Sequence, residues 1–298
     1  MTDIETPVNL RIELAGRRLG TIRRQLNIVP HPLDLLLAHQ LANLPLPGRD
    51  GYLVTSAPFS RVSALAAMLP DYLVVVRQTY LRHYIPMAGL GFDDWWRGFS
   101  GKTRSGLTRK ARRLERELGG FTVRAYRTPA EIREFMAIAG RLSERTYQAR
   151  LLQAGLPGGP AAVERAIGLA AADNIRCFML FAGDRPLAYL YLPIENDVVT
   201  YGFVGYDPDF AGLSPGNVLQ VEAMRALFAE NRFRYFDFTG GDGAHKAQFG
   251  RGSVHCADVI ALRRTFGNRS ALGVLQGVDT IARVGKLFLA RATGARRG

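Results

Sequence analysis

The sequence predicts an α+β fold of mixed, mostly antiparallel sheets flanked by helices. Three observations lead there. The second half reads helix, helix, three strands, loop, helix, strand, turn, strand, not the regular alternation that builds a doubly wound parallel sheet. The pairs Gly183–Asp184 and Asn196–Asp197 are hairpin turn chemistry, so the strands beside them are antiparallel neighbours. A chain of 298 residues, 47% hydrophobic and 22% charged, can bury a core unaided.

The elements follow in order. Asn9–Ala15 alternates as a strand, helices are expected over Leu33–Ala42 and after Ser60, and strands over Tyr72–Val76 and Thr79–Ile85. Phe92–Phe99 is bracketed by Gly91 and Ser100, and a long basic segment, Gly101–Leu118, stops at Gly119–Gly120. Beyond it a strand at Phe121–Tyr126 leads to a helix opened by Thr128, with Pro129 at its first position and Glu131 three residues after the cap, running to about Gln148. Gly155–Pro160 separates this from a helix at Ala161–Ala172. Strands follow at Arg176–Ala182, Pro186–Ile194 and Val198–Tyr206, then a loop to Pro215, a helix Gly216–Glu230, a strand Tyr235–Thr239, a glycine-rich turn and a strand His255–Leu262.

Composition narrows the partners. A formal charge of +13 calls for an anionic one: CoA phosphates, a phospholipid surface or nucleic acid. Cys177 and Cys256 lie in apolar runs, as reduced, buried thiols do, which points to a reducing compartment. Met1 to Pro7 is acidic where a secretory signal is basic, and no apolar run approaches the roughly 18 residues that spanning a bilayer takes, so a cytoplasmic protein is expected. No Gly-x-Ser-x-Gly elbow is present, and the histidines lack neighbours at metal-ligand spacing, so neither a serine nucleophile nor a metal site is expected.

Two segments carry candidate chemistry. The turn Gly212-Leu213-Ser214-Pro215-Gly216-Asn217 feeds a helix start, where free amides and the positive dipole end suit a pyrophosphate. The strand end Asp237 opens through Gly240-Gly241-Asp242-Gly243 to His245 and Lys246, placing polar side chains where backbone can approach a ligand. His245 is the side chain best suited to take a proton near neutrality, and Lys246 suits a phosphate or Asp242. Each is also ordinary turn chemistry.

Tyr206-Asp207-Pro208, Ser214-Pro215-Gly216, a helix, Asp237-Phe238 and His245-Lys246 together resemble the second half of the CelD-like or BioF2-like acetyltransferase domain of the GNAT superfamily, itself similar to one half of Fem-type peptidoglycan aminoacyltransferases. The resemblance covers roughly Gly101 to Leu262. It implies tandem GNAT-like halves: a degenerate first half with its basic connecting helix at 1–118, an acyltransferase domain at 119–268, and a basic amphipathic helix at 269–298. It places Ser214, Gly216, Asn217 and Lys246 at the phosphates of an acyl-CoA donor. This turn departs from the usual GNAT loop, having Leu213-Ser214-Pro215 before a single glycine, which keeps an acyl-carrier protein open as donor. Arg104, Arg109 and Arg113 of the basic segment match a basic stretch preceding the domain, facing an anionic substrate or phospholipid headgroups.

The implied activity is N-acyl transfer by direct attack of an amine on the thioester, with His245, Asp242 and Asp237 as base candidates in falling order. Glu144 and Tyr147 are candidates to line the acceptor pocket or serve as acid; the alternatives are a surface partner of Arg141 and a core-edge aromatic. From Ser270 to Ala292 apolar residues recur at helical spacing opposite Arg283, Lys286 and Arg291, as in an interfacial helix or one docked on the core. A lipid amine such as a sphingoid base at the inner face of the cytoplasmic membrane is therefore an acceptor in reach. An aminoacyl-tRNA-dependent Fem-like transferase and a non-catalytic membrane or polysaccharide-synthesis module are the rivals, though nucleic acid is not the expected partner.

Overall fold

The computed structural model of the protein describes residues 6–14, 17–145, 155–241 and 243–273. The expectations for Tyr147, Asp242 and the C-terminal helix beyond residue 273 lie outside them. The chain divides into two compact units, one formed by Met1–Leu81 with Val254–Gly298 and the other by Arg82–Ser253.

In the first unit, β1 (Thr6–Leu14) and β2 (Arg17–Pro30) form an antiparallel pair; β2 runs parallel to β3 (Gly51–Pro58), and β3 antiparallel to β11 (Gly252–Arg263). Helices α1 (Leu33–Leu37) and α2 (Val62–Ala67) are short. Val29, Tyr52, Val54, Leu65 and Val259 share one core. Strand β3 escapes the sequence reading, and the two strands expected between Tyr72 and Ile85 are one, β4 (Tyr72–Pro86), through which the chain enters the second unit. Arg77 and Gln78 interrupt the apolar pattern but not the backbone ladder.

The second unit opens with α3 (Phe92–Arg97) and α4 (Gly101–Leu118). The bounds of α4 are set by Ser100, whose Oγ accepts from the Thr103 amide at 3.1 Å, and by Gly119, which takes φ 72° at the C-cap. Strand β5 (Thr122–Tyr126) and α5 (Pro129–Arg145) follow. The capping box is present: the Thr128 amide donates to Glu131 at 2.8 Å and the Glu131 amide to Thr128 Oγ1 at 3.4 Å. Then come α6 (Pro160–Ala171), β6 (Ile175–Ala182), β7 (Arg185–Glu195), β8 (Val198–Thr200), β9 (Phe203–Tyr206), a 3₁₀ turn (Pro208–Leu213), α7 (Pro215–Ala229), β10 (Tyr235–Asp237) and α8 (Ala244–Phe249).

The strand order here is β4-β10-β8-β7-β6-β5, with β9 also on β7. All pairs are antiparallel except β8 with β10. Helices α4 and α7 pack on each other and, with β6 and β7, enclose Leu107, Leu114, Leu190, Leu219, Met224 and Leu227. The basic helix therefore belongs to the same compact unit as the strands that follow it, because Leu107 and Leu114 face inward while its arginines face out.

Candidate active site

The site begins with an irregularity in what the sequence presents as one strand. On β7, Ile194 pairs with Val199 and Tyr191 with Phe203, so Leu192 and Pro193 face three residues, Thr200, Tyr201 and Gly202. One residue too many bulges the strand and splits it into β8 and β9. Gly202 is required there: a Cβ would lie 2.8 Å from the Tyr191 carbonyl oxygen and 2.9 Å from Pro193 Cδ. The Tyr201 amide turns to β10 and donates to the Asp237 carbonyl at 2.8 Å, the last bond between these strands. Beyond it β9 stays with β7, while the Phe238 amide donates to the His83 carbonyl on the other side. The parallel pair parts.

A cavity of about 330 Å³ lies at this parting, lined by Tyr201, Val204, Tyr206, Gly216, Asn217, Gly243, His245 and Lys246. Four of the residues expected from sequence, Gly216, Asn217, His245 and Lys246, thus meet in one place. The short helix α8, hidden in the sequence by its glycine-rich approach, carries both His245 and Lys246. The Tyr201 hydroxyl and His245 Nε2 are 3.1 Å apart. Phe249, Tyr201 and Phe238 surround the imidazole at ring distances of 4.8, 5.8 and 6.3 Å. Burial, reinforced by the charges of Lys110 and Lys246, pushes His245 down to about 4, so it is neutral at pH 7. Burial also raises the Tyr201 hydroxyl well above its usual range, so it stays protonated.

The turn before α7 is poorer in free amides than its spacing suggests. Ser214 sits at the N-cap with φ 55°, Pro215 has no N–H, and the Asn217 amide donates back to the Ser214 carbonyl at 3.0 Å. Gly216 keeps the one unpaired amide of that first turn. Lys246 Nζ donates to the Gly240 carbonyl.

Asp237 is placed differently. It is 2% exposed, with Arg82 Nε donating to Oδ1 at 3.0 Å, Arg82 Nη2 to Oδ2, and the Thr239 amide to Oδ1 at 2.8 Å. The pair fixes the end of β10, where Thr239 takes φ 61°, an uncommon conformation for a β-branched residue. Glu144 is exposed on α5 and does not line the cavity. Arg104, Arg109 and Arg113 do not line it either; they share a separate groove on α4. Tyr201, Val204 and Tyr206 were not singled out as site residues, although Gly202 inside an apolar strand signalled a bulge beside them.

Two parallel strands of this sheet thus part beside the start of a helix. Residues 101–247 match the family model described as an acetyltransferase (GNAT) domain. Among solved structures the chain is similar to the C-terminal domain of a putative lysylphosphatidylglycerol synthetase from Agrobacterium fabrum, at 12% identity and TM-score 0.50, covering 77% of this chain and 72% of that one. It is also similar to FemX, at 11% identity and TM-score 0.49 over 86% and 88% of the two chains. A third is L-PGS from Bacillus licheniformis, at 14% identity and TM-score 0.48 over 75% and 71%. No curated protein sequence matches the chain. Among the described residues no helix is long and apolar enough to cross a membrane, and no cluster of His, Cys, Asp or Glu could hold a metal ion.

Proposed function

We propose that the protein is an N-acyltransferase that moves an acyl group from a coenzyme A thioester to an amine by direct attack. The observation that carries this reading is the shared cavity: the Tyr201–His245 pair and the start of α7 face one space where β8 and β10 part. The thioester arm enters between the parted strands, and the free edge of β9, paired with β7 on its other side, presents amides to the developing oxyanion.

The amine nitrogen attacks the carbonyl carbon, and the carbon–sulfur bond breaks as the tetrahedral intermediate collapses. The attacking nitrogen sheds a proton and the departing sulfur gains one. A neutral imidazole hydrogen-bonded to a protonated phenol can do both: His245 takes the proton from nitrogen, Tyr201 gives one to sulfur, and the 3.1 Å contact restores the pair. Burial serves this directly, because a cationic His245 would have no lone pair to offer. In this reading Gly216, Asn217 and Lys246, which line the cavity, take the donor side, with Ser214 at the N-cap just before them. The acceptor we favour is a lipid amine such as a sphingoid base, since Tyr201, Val204 and Tyr206 make one wall of the cavity largely apolar; such an acceptor would call for a protein at the inner face of the cytoplasmic membrane.

The experiment is a ligand map followed by product analysis. Acyl-CoA thioesters of increasing chain length are scored by the rise in melting temperature, and the best is incubated with candidate amines while thiol release and amide mass are followed. Amine-dependent thiol release with a matching amide supports the reading. Release only from an acyl-carrier protein changes the donor; transfer only from charged tRNA, or no transfer at all, removes the reading.

A further inference from the structure

The turn at 212–217 leaves a deficit, and α4 holds a surplus. A pyrophosphate at a helix start is normally met by several backbone amides, but Pro215 contributes none and the Asn217 amide is spent on Ser214. Beside this turn, α4 presents five arginines, Arg104, Arg109, Arg112, Arg113 and Arg116, around a groove of about 650 Å³ with Ser105, Thr108 and Trp96. From Arg104 to Arg116 the face is about 18 Å long at 1.5 Å per residue. No carboxylate lines it.

We infer that this arginine face binds the phosphates at the nucleotide end of the donor, supplying by side chains the charge that the turn does not supply by amides. The inference rests on the acyl-CoA reading above and assigns the second half of that substrate's site. Arg109, Arg112 and Arg116 have no hydrogen-bond or ion-pair partner among the described residues, so their donors are available. Two others are held in place. Arg104 Nη1 donates to the Arg97 and Phe99 carbonyls at 3.0 and 3.1 Å, and Arg113 donates to Glu117 at 2.7 Å and to the Gly212 carbonyl at 3.4 Å. The second Arg113 contact ties the face to the very turn that opens α7. Lys110, on the same helix, is close enough to the cavity to oppose protonation of His245. Lys110 itself does not line the groove, so the link between the face and the α7 turn is the Arg113 contact.

The form of the face favours a small polyanion over a bilayer. The groove has the size of a small-molecule site, about 300–1,000 Å³, and its hydroxyls and fixed guanidinium forks suit discrete phosphate oxygens. Attraction to headgroups needs neither concavity nor fixed donors. Trp96, stacked on Phe92 with ring planes 17° apart, offers an aromatic surface at one end for a base.

The test uses the full chain with CoA, 3′-dephospho-CoA and adenosine 3′,5′-bisphosphate as probes, and phosphatidylglycerol vesicles and tRNA as rival anions, all measured by titration calorimetry at fixed salt. The variant is Arg109→Gln/Arg112→Gln/Arg116→Gln, three exposed positions where Gln keeps helix propensity; an unchanged melting temperature verifies folding. The wild type is expected to bind CoA at least tenfold more tightly than dephospho-CoA and to bind the bisphosphate alone. The variant should lose about 100-fold in CoA affinity and most of that preference, with the loss in KM for acyl-CoA and not in kcat. A variant that binds CoA like the wild type overturns the inference while leaving the acyl-CoA reading standing. So does a variant that loses binding to phosphatidylglycerol vesicles or tRNA but not to CoA. A wild type that neither binds CoA nor releases thiol removes both.

Discussion

Two ionisable groups flank the end of β10, and their surroundings are opposite. Asp237 is buried with its counter-ion, both oxygens engaged by Arg82. His245 is half-buried among Phe249, Phe238 and Tyr201 with no carboxylate facing it among the described residues, and the charges it feels are Lys110 and Lys246. The difference separates two roles. A charge locked to its partner fixes backbone; a group that burial keeps neutral, on the wall of a cavity, remains available to exchange a proton.

Substitutions can break that contrast, and the largest effect is expected at Asp237. Asp237→Asn removes the counter-charge of the buried Arg82 guanidinium and should cost about 3–5 kcal/mol of stability, read by urea denaturation. If Asp237 is instead a base, stability will hold and turnover alone will fall. His245→Gln should do the reverse, lowering kcat by about 10²-fold or more with the pH 7 melting temperature little changed.

The pH dependence sharpens the contrast further. Because the folded pKa of His245 lies near 4, below the unfolded value of 6.5, the unfolded chain binds the proton first. Both states are neutral above pH 6.5, so nothing is lost there; as pH falls from 6.5 toward 4 the unfolded state gains. The wild type should lose about 2 kcal/mol between pH 6.5 and 5 from this group, and His245→Gln should lose correspondingly less over the same interval. Tyr201→Phe removes the hydroxyl that meets His245 but keeps the ring, so a smaller fall in kcat, about tenfold, is expected, with the steeper pH dependence of stability retained. The smallest effect belongs to Glu144→Gln. Its carboxylate is exposed on α5, and stability should stay within about 0.5 kcal/mol with turnover unchanged.

Local chemistry was readable where it decides structure on its own. Ser100 and Gly119 bound α4, and Thr128, Pro129 and Glu131 open α5, because caps are local hydrogen bonds. The proximity of the turn at 216–217 to His245 and Lys246 was legible through the resemblance, in the order of its motifs. What the sequence hid depends on partners far along the chain. The split of Val198–Tyr206 needs the register of β7, and the exclusion of a side chain at Gly202 needs the Tyr191 carbonyl. Tyr201 looks like any strand tyrosine until the bulge turns its amide toward Asp237. Arg82 and Asp237 are 155 residues apart, so their pairing left no local signal. The deficit of amides at α7 was half visible, in Pro215; the Asn217 bond back to Ser214 was not.

The most direct measurement is amine-dependent thiol release from the best-binding acyl-CoA by the wild type and His245→Gln, compared at equal folded fraction. Release that requires the amine in the wild type and falls about 100-fold or more in the variant is expected if the parting of β8 and β10 is where the acyl group changes hands. Equal release by the two proteins, or none that depends on an amine, would contradict it.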